Sequence, residues 1–463
     1  MLALKPKAEC PPPKVCIIGA GPAGLAAARN LALRGIEFRQ FERHSGVGGI
    51  WDITNPGTPM YESAHFISSR TRSGYYGFAM PSHFPDYPGR ALVLDYIRDF
   101  AETFGLMDGI AFNTPIQSVE PDGTGWRVTT AHDHTESFSH VICATGHTWT
   151  PNWPEYPGSF EGRIMHAVDF VEPSLFRGQR VLVVGAGNSA CDIACEAART
   201  ADTAMISMRR GYHIIPKHIL GEPADVFAAK SKWMPSGIRR PMFEWLLSRL
   251  LGELTTYGLQ APDHRILSSH PIINSQLIHY LQHGDISVCR DIERFEGRDV
   301  VFVDGRRETV DIVLYATGYR YAIPYIDHGY FDWKGYKPSL AFTVFNRRHD
   351  TLFAAGFTEM NAGGYYIFDE MTSLIADAIH VQATDPDAWA KAKATIMTPQ
   401  DFSGGVKMVA SERHADYLDM DTYLTACRQL CQQLGWTSAK DFLSNRQPSS
   451  TSSTEPTTLR PNS

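Results

Sequence analysis

The chain reads as an α/β protein with two Rossmann-like dinucleotide-binding domains, the second inserted into the first, and three observations predict it. Residues 15–24 (VCIIGAGPAG) and 181–190 (VLVVGAGNSA) each run an apolar strand into a glycine turn and an Ala-rich helix. Each stretch closes on an apolar strand ending in Ala-Thr-Gly, so that Gly19 to Ala144 spans 125 residues and Gly185 to Ala316 spans 131. After Gly318 an apolar strand at 352–356 and a helix at 370–383 remain, enough to return to the first sheet. The predicted boundaries are 1–150 and 319–445 for the first domain, 151–318 for the second, and 446–463 for a disordered tail rich in Ser, Thr and Pro.

In the first loop Gly19 permits the tight turn and Gly21 lets a pyrophosphate approach the backbone. Ala23 is a further cofactor-binding candidate in the loop, a helix is predicted over 25–33, and Gly24 lets it pack closely on the strand. The next strand, 38–41, is followed by Glu42, 18 residues beyond Gly24 and close to the ~20 expected of an acid that bonds both ribose hydroxyls. A carboxylate there repels a 2′-phosphate, so this loop suits FAD or NAD. The second loop has Gly185, Gly187, Asn188 and Ser189, with Ala190 in place of the third glycine before a helix over 191–199. Its following strand, 204–208, ends on Arg209 and Arg210, whose guanidinium groups suit a ribose 2′-phosphate and so NADPH. One site tuned against that phosphate and one tuned for it predict FAD and NADPH in one chain, with hydride passing between them.

Late in each unit, period-two stretches at 126–130 with 136 onward, and at 292–295 with 300–303, predict small antiparallel meanders. Between 212 and 276 the pattern loosens into proline-punctuated helical segments, an insertion in the second unit. Lys and Arg total 43 against 50 Asp and Glu, a net charge of −7, so no basic excess points to nucleic acid or an anionic membrane. No signal-peptide core and no 18-residue apolar run is present, and eight sparse Cys suit a reducing, cytoplasmic setting. Cys191 and Cys195 share a helix face without forming a dithiol redox motif, and the His132, His134 and His279, His283 pairs lack a third metal ligand. No metal site is expected.

Further residues resemble the flavin-containing monooxygenases, class B flavoprotein monooxygenases. Phe160, Gly162, His166 and Phe170 fit the family's FxGxxxHxxx(Y/F) fingerprint, between the two glycine motifs. Gly48, Gly49, Ile50 and Trp51 match its second flavin-contacting motif. Thr145 and Gly146, then Thr317 and Gly318, match the two domain crossovers. The resemblance implies that NADPH reduces FAD and that the reduced flavin takes up O2 as a C4a-hydroperoxide. One oxygen then passes to a small sulfur- or nitrogen-containing substrate. Its implied partners are that substrate and O2, with no nucleic acid or membrane and with a homodimer compatible. Many members place an Asn beside the flavin soon after GGxW, whereas 66–73 here reads FISSRTRS, which makes Ser68, Ser69 and Arg70 the candidate donors. Without that Asn an uncoupled NADPH oxidase is one alternative. Baeyer–Villiger oxygenation of a ketone is the other, less favoured because Phe170 and Val171 replace the Trp and the following Pro or Asp of that branch. The insertion and the segment 358–364 are expected to shape the pocket.

Overall fold

The structure, a computed structural model, describes residues 12–266, 268–270, 272–360, 363–405 and 417–444. The predicted tail, 446–463, lies outside the described residues, as do Asn361 and Ala362 of the 358–364 segment.

The chain opens with β1 (Lys14–Ile18), α1 (Pro22–Ala32) and β2 (Glu37–Phe41), with β1 and β2 parallel in the register Val15 to Phe38. The helix begins one turn earlier than the sequence reading placed it. Pro22 at its first position has no N–H to leave unsatisfied and a φ already suited to a helix, although Gly-Pro-Ala-Gly reads as loop. A short β3 (Ile110–Ala111) joins β2, and a three-stranded meander follows: β4 (Ile116–Asp122), β5 (Gly125–Thr130) and β6 (Thr135–Phe138). The expected meander gains β4, whose mostly exposed face hides the apolar alternation that marks a strand. Then β7 (His140–Cys143) returns parallel to β1.

The second sheet is wholly parallel and lies between two arms of the first in sequence. It is built from β8 (Arg163–His166), β9 (Arg180–Val184), β10 (Thr203–Ser207), β11 (Ile286–Cys289) and β12 (Ile312–Tyr315) in the order β8-β12-β9-β10-β11. Its nucleotide-type helix, α2 (Asn188–Thr200), leads from β9 to β10. The second meander is present too, as Ile292–Gly297, Asp299–Phe302 and Arg307–Thr309, with Gly158–Phe160 added in parallel.

The insertion is less helical than its prolines suggested. Ile214–Ile215 and Ile272–Ile273 pair in parallel at its two ends, and α-helix is confined to α3 (Ala224–Lys230) and α4 (Ser236–Leu251). Pro241 sits inside α4.

After the second sheet the chain adds β13 (Leu340–Ala341), β14 (Phe345–Asn346) and β15 (Leu352–Ala354) to the first. The parallel pairing of β15 with β7 gives the order β13-β14-β15-β7-β1-β2-β3. α5 (Tyr366–Thr384) packs on α1 through a buried Arg29–Asp369 ion pair at 2.5 Å and an Asn30 Nδ2 hydrogen bond to Thr372 Oγ1 at 2.9 Å. It also starts a turn before its predicted position.

The two links between the sheets pair with each other. Thr150–Pro151 and Tyr319–Arg320 form an antiparallel ribbon, braced by Thr317 Oγ1 donating to the Asn152 carbonyl at 2.6 Å. All seven cysteines among the described residues are free and buried, Cys191 and Cys195 within the core of the second sheet. Burial raises both thiols and leaves them poor nucleophiles. Among the described residues no helix is long and apolar enough to cross a membrane, and no group of three metal-ligand side chains converges.

Candidate dinucleotide cleft

Both glycine loops sit at the carboxyl ends of parallel strands, where open α/β sheets bind their ligands. In the first, Gly19 has φ +107, and a Cβ there would lie 2.7 Å from the Ala144 carbonyl oxygen. A Cβ on Gly24 would come within 2.0 Å of the Gly19 carbonyl oxygen, so α1 packs as close as a glycine allows. Gly21 ends the loop as the N-cap of α1, whose first-turn N–H groups have no partner inside the helix.

Glu42 leaves the end of β2 with its carboxylate nearly buried, accepting the Ala20 N–H at 2.6 Å and the His44 N–H at 2.9 Å. These bonds hold it beside the loop and leave lone pairs for ribose hydroxyls. Gly48 donates its N–H to the Ala20 carbonyl at 3.1 Å, which seats the 3-10 turn Gly49–Trp51 on the loop. A Cβ on Gly49 would lie 3.0 Å from the Gly21 Cα. The buried Trp51 ring stacks on Phe66 at 4.8 Å, and Ile50 is half-buried. A wall that a Cβ would fill, next to helix amides and a carboxylate, fits FAD.

The three candidate donors after this motif are placed differently. Ser73 Oγ donates to the Ser69 carbonyl at 2.7 Å, so the Ser68 hydroxyl, 2.8 Å from Ser73 Oγ, spends its proton on Ser73. Ser69 gives both its N–H and its hydroxyl to Asp225 of α3, at 2.8 and 2.9 Å. Arg70 keeps a buried Nε with no hydrogen-bond partner. Only Arg70, of the three, retains a donor.

Thr145 and Gly146 follow β7. The Thr145 carbonyl accepts the Trp149 Nε1–H at 2.6 Å, and the hydroxyl lies 3.3 Å from Tyr325 Oη. In the second loop Gly185 has φ +135, and its Cβ would meet the Ala316 carbonyl oxygen at 2.4 Å, as in the first loop. Gly187 caps α2, Asn188 Oδ1 accepts the Ile273 N–H at 2.8 Å, Ser189 is exposed, and Ala190 is fully buried against the strand. Beyond β10, Arg209 is exposed, and Arg210 lies over the Tyr212 ring at 5.3 Å. This end of the second loop carries cations where the first carries an acid, and so fits NADPH.

His166 ends β8 and is completely buried. Its Nδ1 accepts the Val168 N–H at 3.3 Å, and Asp169 accepts the His166 N–H at 3.0 Å, closing a capping box. Nε2 therefore carries the proton, and burial lowers the ring's pKa. The ring wedges between Trp153 and Tyr319, which makes it a brace of the crossover that holds Thr317 and Gly318.

Sequence reasoning missed the side chains that join the units, because each bond links segments far apart in the chain. Tyr61 Oη donates to Asp192 Oδ2 at 2.9 Å and Asn274 Nδ2 to its Oδ1 at 2.7 Å, tying the segment after Trp51 to α2. Burial pushes Asp192 up to about 6. Lys217 of the insertion hydrogen-bonds His65, and burial brings its pKa down to about 8.

Two sheets, one mixed and one wholly parallel, each with a glycine loop at the carboxyl end of a parallel strand and with opposite charge beyond it, define an α/β protein with two dinucleotide-type units. A family model described as FMO-like, flavin-binding monooxygenase-like, matches residues 12–363. The chain belongs to this family of class B flavoprotein monooxygenases. Human flavin-containing monooxygenase 3 is 34% identical over 337 residues, covering 68% of this chain and 63% of the human protein. Rat flavin-containing monooxygenase 5 is 31% identical over 338 residues with the same coverage, 68% and 63%. The match thus spans less than two thirds of either relative. The S-allyl-L-cysteine S-oxygenase of Allium sativum shares the fold with a TM-score of 0.63 at 20% identity, covering 92% of this chain and 89% of that one. An open crystal structure of cyclohexanone monooxygenase does so with 0.65 at 16%, covering 92% and 98%.

Proposed function

We propose that the protein is an FAD- and NADPH-dependent monooxygenase that passes one oxygen atom of O2 to a small sulfur- or nitrogen-containing substrate. The carrying observation is the pairing of Glu42 at one glycine loop with Arg209 and Arg210 at the other. On this reading the NADPH domain, 151–318, is inserted into an FAD domain made of 1–150 and 319–445. The seven cysteines among the described residues, free and buried, suit a cytoplasmic setting.

Bound FAD would supply hydride acceptance from NADPH and reaction of the reduced ring with O2. The chain's own residues bind, orient and exclude water. The α1 N-terminus holds the FAD pyrophosphate and Glu42 its ribose, while Arg209 and Arg210 hold the NADPH 2′-phosphate. Trp51 and Phe66 form a dry aromatic wall, and the Ser69–Asp225 bonds pull the insertion onto the 66–73 segment beside it.

The Ser68 and Ser69 bonding favours one second reading. With both hydroxyl protons committed within the protein, an NADPH oxidase that releases hydrogen peroxide has a specific structural basis. NADPH consumption, sulfoxide and peroxide measured together with a thioether probe in air separate the two. Sulfoxide equal to NADPH consumed supports the monooxygenase, peroxide equal to NADPH supports the oxidase, and no NADPH consumption by the flavin-loaded protein sinks both.

A further inference from the structure

The segment after Trp51 contains a buried amide that the FAD reading does not yet use, and the inference drawn from it rests on that reading. Asp52 starts a tight turn by accepting the Thr54 N–H at 3.0 Å on Oδ1, and the Asn55 N–H bonds the Asp52 carbonyl at 3.0 Å. Two side chains of the turn then grip the Gly49–Trp51 motif by its carbonyls. Asn55 Nδ2 donates to Gly49 O at 3.1 Å, and Thr58 Oγ1 donates to Ile50 O at 2.5 Å. The C=O and N–H of a trans peptide point in opposite directions, so drawing the Gly49 carbonyl toward Asn55 aims the Ile50 N–H away from the turn.

Asn55 is only 2% exposed, and its Nδ2 bond fixes which way the amide faces. The other end, Oδ1, is buried without a hydrogen-bond partner. Buried amide oxygens are rarely left so, because the lost water bond is not replaced. The residue it grips, Gly49, lies against Gly21 of the pyrophosphate loop. Ser68 and Ser69, the polar side chains otherwise available to this wall, have already spent their protons on Ser73 and Asp225.

We propose that Asn55 is an FAD-binding residue: Nδ2 holds the Gly49–Ile50 peptide, and Oδ1 accepts a hydrogen bond from a hydroxyl or N–H of the flavin half of the dinucleotide. One side chain thereby couples the shape of the glycine motif to occupancy of the site. In the apo protein the same oxygen is left to a buried water or to nothing.

The test uses the full chain stripped of FAD, with FAD affinity read by quenching of flavin fluorescence and ADP affinity by calorimetry. ADP fills only the adenine half, so a change confined to FAD reports a contact on the flavin half. Asn55→Leu keeps the branched heavy-atom skeleton and removes both polar ends. We expect the FAD Kd to rise about tenfold, the worth of one buried hydrogen bond, with the ADP Kd unchanged within about twofold. Asn55→Ser, smaller and less demanding of space, is expected to give the same split should the leucine variant not fold. An unchanged FAD Kd overturns the proposal in favour of a water-satisfied structural amide. Parallel loss of FAD and ADP overturns it in favour of a deformed loop. A wild-type chain that binds ADP but no FAD removes the cofactor reading itself, an outcome visible before any variant is made.

Discussion

The two glycine loops share a motif and differ in how tightly the protein closes around it. A Cβ on Gly24 would lie 2.0 Å from a backbone oxygen, whereas the matching position of the second loop already carries one, that of Ala190, 3.5 Å from where a Gly185 Cβ would stand. A Cβ on Gly21 would lie 3.4 Å from the Gly49 Cα, while nothing lies within 4 Å of a Cβ on Gly187. At the ribose end the first loop offers a buried, doubly bonded carboxylate and the second an exposed Arg209. The same backbone device is thus walled in at one site and open at the other. A walled loop suits a group that stays between turnovers, and an open one suits a group that arrives and leaves.

Substitution at the third glycine position gives the largest expected effect. Gly24→Ala forces a backbone shift at the tightest contact in the loop, and we expect at least ~3 kcal/mol of destabilisation with loss of bound FAD. Ala190→Gly costs the helix propensity of one residue and one buried methyl group, about 2 kcal/mol, with no backbone shift. Thermal unfolding with the flavin-to-protein absorbance ratio reads both. A Gly24→Ala protein that retains full flavin would erase the contrast between the loops.

The helix behind the first loop carries a pH dependence that sharpens the comparison. α5 grips α1 through Asp369, and its neighbour Glu370 accepts the Tyr76 hydroxyl at 2.9 Å in a buried setting. Burial pushes Glu370 up to about 7 from the usual 4.5. Between those values the folded chain holds a proton that the unfolded chain has released, so stability falls as pH rises from 4.5 to 7. Glu370→Gln removes that loss and is expected to stabilise the protein at pH 8 by roughly 3 kcal/mol relative to wild type, and to leave it unchanged at pH 4. Denaturant midpoints at the two pH values check the sign. Equal shifts at both would mean that the carboxyl is not the titrating group.

At the open loop, charge and not packing is expected to decide. Arg209→Ala should weaken NADPH by about 10- to 100-fold and NADH by less than about threefold, because only NADPH carries the 2′-phosphate. Titration of each nucleotide against the flavin-loaded protein measures the ratio. Equal loss for both would leave Arg209 as a solvated surface charge.

Much of this architecture was legible because glycine spacing and apolar strands are local signals. Gly19 and Gly185 marked both turns, and Glu42 with Arg209 and Arg210 marked opposite charges beyond the next strands, since each stands at a fixed offset from a recognisable strand. Helix starts were less legible: Pro22 and Gly24 look like loop until their packing is known. The bonds between units were invisible. Ser69 and Asp225 are 156 residues apart, and Tyr61 and Asp192 are 131 apart, with nothing in either neighbourhood to announce a partner. His166 was visible as a motif residue, but its burial and its cap to Val168 came only from the fold.

The smallest expected effect tests what the two loops have in common. Gly187 has φ −73 and open space around it, so Gly187→Ala should fold normally and lose no more than about 1 kcal/mol of N-cap preference, a shift of a few degrees at most in the melting temperature. If the α2 N-terminus holds the pyrophosphate, the added methyl group stands between backbone and ligand. NADPH and NADH should then weaken by a similar factor, about three- to tenfold, because both carry that pyrophosphate. The two variants at this site are thus expected to separate cleanly. Gly187→Ala moves both nucleotides together and Arg209→Ala moves them apart. If Gly187→Ala leaves both affinities untouched, the pyrophosphate lies elsewhere, and the likeness of the loops ends at the backbone.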